Sequence, residues 1–358
     1  MDESYYLIDS AEKTSRSASV QETRTLLYLM GQMESSLDVD VFVIDAVNDV
    51  VSANIDKTVY YSAQSKGDKT SSPKSIGADL VTLYKDYLSI LDFDCYILSI
   101  RGVSNDNLNE IIDNPIKTLH YSNFTKEAQK EIRDSLLDEC MVKEYIYKRY
   151  SNYLFKIDTF LEQVIILINN DSFDSYIKKI AFVDDSAVST GELNSIFEDI
   201  RIKQLAIKTS CDVAGTKIKC LEDQLKLGRN LRVETINSLV LERITGMSII
   251  NKNKASYHCP VRLINYFSEL KYSSNELTIF LEDCVHELYK AFCNINLNKE
   301  FWNLIFITSD TCRSKKSSDV EAIYEELVRK HGGLLYLKLL SKNAMLYLIA
   351  NIMEGLAQ

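Results

Sequence analysis

The sequence predicts an α/β (α+β) chain, with a strand-containing core over residues 1–105 and a mostly helical region over 106–358. Three observations predict it. Short β-branched and aromatic runs cluster before residue 101 and alternate with helical periodicity. Beyond residue 101 the chain turns to charged, helix-period segments. Only 3 Pro and 11 Gly occur in 358 residues, so sharp turns are few and helices have room to run.

Residues 20–33 have helical spacing, with Val20, Thr23, Leu27 and Met30 on one face and Leu26, Leu29 and Met33 beside it. Ser19 is the expected N-cap, and Glu22 stands at capping-box spacing from it. "DVFVIDA" reads as a short buried strand. "VNDVVSANI" reads as a second strand after a tight turn, and "KTVYYSAQSK" as a third beyond the turn "NIDK". "GDKTSSPKS" is loop by composition. Ile76, Leu80, Leu83, Tyr84, Tyr87 and Leu88 then form one apolar helical stripe with Ser75 as its cap, and "DCYILSI" is a fourth strand. The order is helix, three strands, helix, strand.

In 106–358, "NDNLNEIIDN" and "NFTKEAQKEIRDSLLDECMVKEYIYKRY" have helical period, whereas "FLEQVIILI" and "IAFVDD" fit short strand or buried helix equally. "STGELNSIFEDIRIKQLAI", "ETINSLVLERI" and "NELTIFLEDCVHELYKAFCNI" read as helices, and "FWNLIFITSD" as a strand. "SDVEAIYEELVRKHGG" reads as a helix closed by glycine. The tail, "LLYLKLLSKNAMLYLIANIMEGL", is a helix apolar on more than one side. It is the expected partner interface, because exposed apolar surface needs a mate.

The apolar fraction of 46% and charged fraction of 26% are those of a globular protein. No apolar run approaches the roughly 20 residues that span a bilayer, and the acidic start "MDESYYLIDS" is unlike a secretory signal. The 8 cysteines are scattered with no C-x-x-C pair, which argues for reduced thiols in a cytoplasmic protein rather than a zinc ribbon or disulfide framework. A net charge of −10 means that any nucleic-acid affinity must come from a local basic patch or a partner.

Residues 45–66 carry the chemistry. Asp45 and Asp49 bracket the first turn, and Gln64 and Lys66, two apart on the third strand, share a face. In a meander Asp49 can meet Gln64 and Lys66 at one end of the sheet. Carboxylates with an amide carbonyl suit Mg²⁺ (or Mn²⁺), which takes oxygen ligands and keeps several waters. A lysine beside the ion could hold a nucleophilic water or stabilise a pentavalent phosphate. Lys66, Lys69, Lys74 and Lys85 form a basic set around this point, suited to backbone contacts with DNA. The plainer reading makes Asp45 and Asn48 turn formers, and Gln64 and Lys66 a solvated strand end.

The element order, with an acid opening the second strand and Q-x-K ending the third, resembles the PD-(D/E)XK restriction-endonuclease-like core. It is closest to the double-stranded DNA endonucleases of bacterial antiphage defence, of CBASS or Lamassu type. The matching positions are Gln21 on the first helix, Asp45, the pair Asn48–Asp49, Gln64 with Lys66, and "LVTLYKDYL" with Tyr84 and Lys85. The resemblance implies that Asp49 is the main metal ligand, Gln64 a second ligand, Lys66 the catalytic lysine and Asp45 an auxiliary acid. Asp45 stands where Glu is usual, and Asn48 replaces the first acid of a D-D pair. The resemblance further implies an effector subunit that works with a separate ATPase or sensor subunit and as a homo-oligomer, or, alternatively, a catalytically degenerate adaptor.

Other motifs are incomplete. His286 in "CVHELYK" lacks the second histidine of H-E-x-x-H, His258 beside Cys259 has no second thiol at metal spacing, and "NKNK" and "RSKK" are short basic loops.

Overall fold

The structure, a computed structural model, describes residues 4–8, 15–33, 39–111, 113–182, 188–245, 259–270, 273–294, 297–315 and 319–356. After a two-residue strand β1 (Tyr6–Leu7), helix α1 (Arg16–Gly31) starts one turn earlier than expected. Ser15, not Ser19, is the cap, and its Oγ accepts from the Ala18 N–H at 3.2 Å, while Ser19 lies inside the helix.

The meander follows as β2 (Val39–Ile44), β3 (Val50–Asn54) and β4 (Tyr60–Ser65), paired antiparallel with Phe42 opposite Ser52 and Val51 opposite Ser62. The "DAVND" turn closes by the Asp45 N–H donating to Asp49 O at 3.0 Å, with Asp45 in the left-handed region at φ 49°. Asp tolerates that conformation better than most side chains. The expected single helix is split at Leu80 into α2 (Pro73–Asp79) and α3 (Val81–Leu88), capped by Ser72 with Pro73 in the first turn. Strand β5 (Cys95–Ile100) then lies parallel to β4, placing Leu98 level with Gln64.

Next come β6 (Ile116–His120), α4 (Lys126–Val142), α5 (Glu144–Tyr147), α6 (Tyr153–Gln163), β7 (Ile165–Asn169), α7 (Phe173–Ala181), α8 (Thr190–Lys208), β8 (Lys217–Ile218), α9 (Leu221–Gln224), β9 (Asn230–Arg232) and α10 (Val233–Thr245). One seven-stranded mixed sheet runs β6-β7-β5-β4-β3-β2-β9, with β4, β5 and β7 mutually parallel. Three of its strands lie beyond residue 105, so the boundary expected there is corrected. The compact units are Met1–Tyr176 with Phe197–Val233, and Ile177–Ile196 with Glu234–Gln358. The change of composition near 105 misleads because α4 and α6 are charged outside, yet they bury Ile132, Leu136, Ile157 and Phe160 in the core that also holds Val41, Val51, Leu98 and Ile166. At Gly77 a Cβ would lie 2.2 Å from Ile132 O, so α2 crosses α4 at a distance only glycine allows.

"FLEQVIILI" resolves into the end of α6 and strand β7, and the described residues of "NDNLNEIIDN" hold a short 3₁₀ turn, Asn105–Asn107, and a bridge from Leu108 to Phe124. "IAFVDD" lies partly outside the described residues.

The second unit is helical: α11 (Val261–Leu270), α12 (Ser274–Phe292), α13 (Asn298–Lys315), α14 (Val320–His331), α15 (Leu335–Leu339) and α16 (Lys342–Gly355), joined by α10. "FWNLIFITSD" is part of helix α13, not a strand; Phe301, Trp302, Leu304, Ile305 and Thr308 are buried at helical spacing, so packing overrides β-propensity. The apolar tail is not an outer interface. Helix α16 is buried continuously from Ala344 to Met353 and packs against α11, α12, α13 and α14, which makes it the core of this unit. Among the described residues no helix is long and apolar enough to cross a membrane.

Candidate active site

The end of β4 meets the start of β3 at Asp49. Its Oδ2 accepts from Gln64 Nε2 at 2.9 Å and from the Ser65 N–H at 2.6 Å. Lys66, the next residue, continues the ladder by donating its N–H to Ser99 O at 2.8 Å, and its Nζ lies 3.4 Å from Asp79 Oδ1. Asp49 and Gln64 therefore meet, while the Lys66 ammonium pairs with Asp79 and acts on Asp49 through its charge. Burial pushes the Asp49 carboxyl up to about 6, against the pull of the Ser65 N–H and of Lys208 and Lys66.

Asp45 is drawn elsewhere. Its Oδ1 lies 3.0 Å from Lys208 Nζ and its Oδ2 3.0 Å from Arg229 Nη1, which also donates to Asp45 O. Arg229 is anchored in turn by donating to Cys211 O from Nη2 at 2.7 Å and from Nε at 3.2 Å. Two cations thus hold the side expected to serve as an auxiliary acid. Lys208 Nζ also pairs with Glu22 Oε1 at 3.2 Å. Glu22 is buried on α1, and its carboxyl rises to about 7, first from burial and then from the charge of Asp49. Glu22, Lys208 and Arg229 are the site residues that sequence reasoning missed. Glu22 left one signal: "QETRT" puts five polar residues in succession into a helix, and all five are buried. Lys208 and Arg229 left none, since only the fold carries them to Asp45.

Asn48 turns away from Asp49, donating from Nδ2 to Ser62 Oγ at 2.6 Å and to Asp86 Oδ2. It is a packing residue there, not a lost acid of the Asp49 cluster. Lys85 is 3% exposed; its Nζ donates to Leu7 O at 3.1 Å and sits 4.4 Å from the Tyr6 ring centre. An ammonium held that way does not reach a backbone phosphate, so the expected DNA contact at Lys85 is withdrawn. Lys69 and Lys74 are exposed. Gln21 is buried, donating to Ser99 Oγ at 3.2 Å and Asn169 O at 3.0 Å, and Tyr84 OH donates to Tyr153 O. His286 is exposed on α12, while His258 and "NKNK" lie outside the described residues.

Among the described residues no three His, Cys, Asp or Glu side chains are placed together to hold a metal. Asp49 Oδ1, Glu22 Oε2 and the Gln64 carbonyl nonetheless accept no hydrogen bond from a described residue. Two carboxylates and one amide oxygen fit Mg²⁺, which binds through one or two carboxylates and retains water. Among known proteins, no family profile, no curated protein and no solved structure matches the chain.

Proposed function

We propose that this chain is a metal-dependent DNA endonuclease with a restriction-endonuclease-like core, acting in the cytoplasm as the effector subunit of a bacterial antiphage complex. The observation that carries the reading is the meeting of Asp49 and Gln64 at one end of the β3–β4 pair, with the charge of Lys66 acting on Asp49 and the charge of Asp49 acting on a second carboxylate, Glu22. Asp49 and Gln64, with Glu22, would hold Mg²⁺ or Mn²⁺. The bound ion supplies Lewis-acid polarisation of the phosphoryl oxygen and a more acidic water. Lys66, whose charge acts on Asp49, would orient that water or offset charge on the scissile phosphate. Exposed Lys69 and Lys74 can meet the backbone of double-stranded DNA without reading its bases. A separate ATPase or sensor subunit, and pairing of this chain with itself to cut both strands, complete the proposal.

A second reading, a nuclease-fold adaptor without catalysis, is favoured by one feature. Lys208 and Arg229 already neutralise Asp45 and Glu22, placing fixed cations beside the carboxylates an ion would need. Plasmid cleavage with Mg²⁺ or Mn²⁺, with and without the ATPase or sensor subunit, separates the two. Asp49→Ala and Lys66→Ala are each expected to slow cleavage by about 10²-fold or more. Equal cleavage by all three proteins overturns the residue assignment, and no cleavage by the wild type in any mixture favours the adaptor.

A further inference from the structure

One strand along from β4, the rim of the sheet changes sign. Arg101 directly follows β5, and Asn170 and Asp171 directly follow β7. These ends face the same way as the end of β4, because the three strands are parallel. Neighbouring strands are about 5 Å apart, so β5 and β7 end about 5 and 10 Å from the strand that carries Gln64.

Two guanidiniums converge there on one neutral amide. Arg24 Nη1 donates to Asn170 Oδ1 at 3.0 Å, and Arg101 Nε donates to the same oxygen at 3.3 Å. Arg24 is only 8% exposed, and its Nε is buried without a hydrogen-bond partner. Its Nη2 donates to Asp171 O at 3.1 Å, and its guanidinium lies over the Phe173 ring at 5.2 Å. Neither arginine forms an ion pair with a carboxylate among the described residues. The acid beside them, Asp171, turns its own carboxylate to the Ser172 N–H at 2.8 Å and to Ser175 Oγ at 2.5 Å. A buried arginine is ordinarily paired with an anion, and a second arginine beside it adds repulsion. Burial and the charge of Arg101 both act against the charged form of Arg24. An arrangement that costs stability and lies at the carboxyl ends of parallel strands is where open α/β sheets take ligands.

We propose that Arg24 and Arg101 form a phosphate-binding subsite at the carboxyl ends of β5 and β7, and that its phosphate belongs to the DNA strand whose scissile group lies at Asp49. The planar forks of two arginines match phosphate oxygens, and Arg101, half-buried, is the one a ligand reaches from solvent. The DNA part of this assignment rests on the nuclease reading, whereas the phosphate part does not.

The test uses the full chain and an end-labelled duplex, with metal chelated so that binding is read without cleavage. Arg101→Gln is the main variant, because Arg24 is buried enough for its loss to disturb folding; Arg101→Lys is the conservative partner. Fluorescence anisotropy over about 50 to 200 mM salt is expected to show Arg101→Gln binding about ten-fold more weakly. The slope of log affinity against log salt should become shallower by about one. Arg101→Lys should recover the slope and part of the affinity. Affinity and slope equal to wild type overturn the subsite. A melting temperature for Arg101→Gln several degrees below wild type in phosphate-free buffer also overturns it, since a merely structural Arg101 would stabilise the empty protein. Should wild type bind no duplex, the nuclease reading falls and inorganic phosphate decides the subsite. A rise in melting temperature for wild type alone then supports a free phosphate or nucleotide ligand, and an equal response in both proteins overturns it.

Discussion

Asn48 and Asp49 are adjacent in the chain, but their side chains serve two different hydrogen-bonded clusters. Asn48 joins Ser62 and Asp86, where the carboxyl is wholly buried, receives only neutral donors at Oδ2, and is pushed up to about 7. Asp49 joins Gln64, Lys66, Glu22 and Lys208, where the carboxyl is half-buried and rises to about 6. Both acids are strongly perturbed by burial. A raised pKa therefore does not distinguish a site from a core; access does. Asp86 is enclosed by Asn48 and Ser62 and orders the core. Asp49 can exchange its proton for a cation.

The largest expected effect tests the charged side of this contrast. Lys208 bridges Glu22 and Asp45 with only 9% of its side chain exposed, so Lys208→Ala leaves two acids without their shared cation. Removing one partner of a buried pair costs about 3–5 kcal/mol. Urea unfolding at neutral pH should show that loss, and the loss should shrink towards pH 5 as the abandoned Glu22 carboxyl takes up a proton. A loss unchanged with pH would mean that Lys208 acts by packing and not by charge.

Next in size is the neutral side. Asp86→Ala strips the acceptor from Asn48 Nδ2 and from Ser62 Oγ, which donates to it at 2.9 Å. Orphaning buried donors costs about 2–3 kcal/mol in all. The variant should melt lower and still respond to divalent cations as wild type does. If its cation response also vanished, the two clusters would not be independent.

These residues show what the sequence made legible. The element order and the approach of Asp49 to Gln64 were readable because strand alternation and turn chemistry are local, and a meander brings neighbours together. The partners of Asp45 were not, since Arg229 is 184 residues away and nothing local marks it. Asn48 resembled half of an acidic pair in the sequence because nothing local shows that Ser62 and Asp86 take up its amide. Lys85 resembled a phosphate contact because its charge was visible and its burial against Tyr6 was not. Helix α16 resembled an interface because apolar on all sides describes a central helix as well as a sticky one.

A moderate effect separates the clusters by ligand. Mg²⁺ or Mn²⁺ binding only the folded state stabilises by about 1.4 kcal/mol at ten times its dissociation constant, and by about 2.7 kcal/mol at a hundred times. Thermal melts in chelator and in Mg²⁺ should show such a shift for wild type and Asp86→Ala, and none for Asp49→Ala. A shift that survives in Asp49→Ala would place the ion elsewhere.

The smallest expected effect is a change of slope with pH. Asp49 rises from 3.8 to about 6 and Glu22 from 4.5 to about 7 on folding, so between about pH 4 and 7 the folded state binds more protons than the unfolded one. Stability from these groups is present at low pH and is lost as pH climbs through that window, then stays level above it. Asp86 contributes with the same sign over a similar range. Asp49→Asn should flatten the curve by a few tenths of a kcal/mol per pH unit, well under the ~1.4 kcal/mol limit for one full proton, because solvent screens a half-buried group. Mg²⁺ should flatten the same part of the wild-type curve, since an ion held by ionised Asp49 and Glu22 replaces the protons they shed. The part owed to Asp86 should not respond to Mg²⁺ at all, because no cation reaches a carboxyl enclosed by Asn48 and Ser62. Urea unfolding from pH 4 to 8, with and without Mg²⁺, reads both parts from one set of curves. A Mg²⁺ effect of equal size in Asp49→Asn would break the contrast between the two acids.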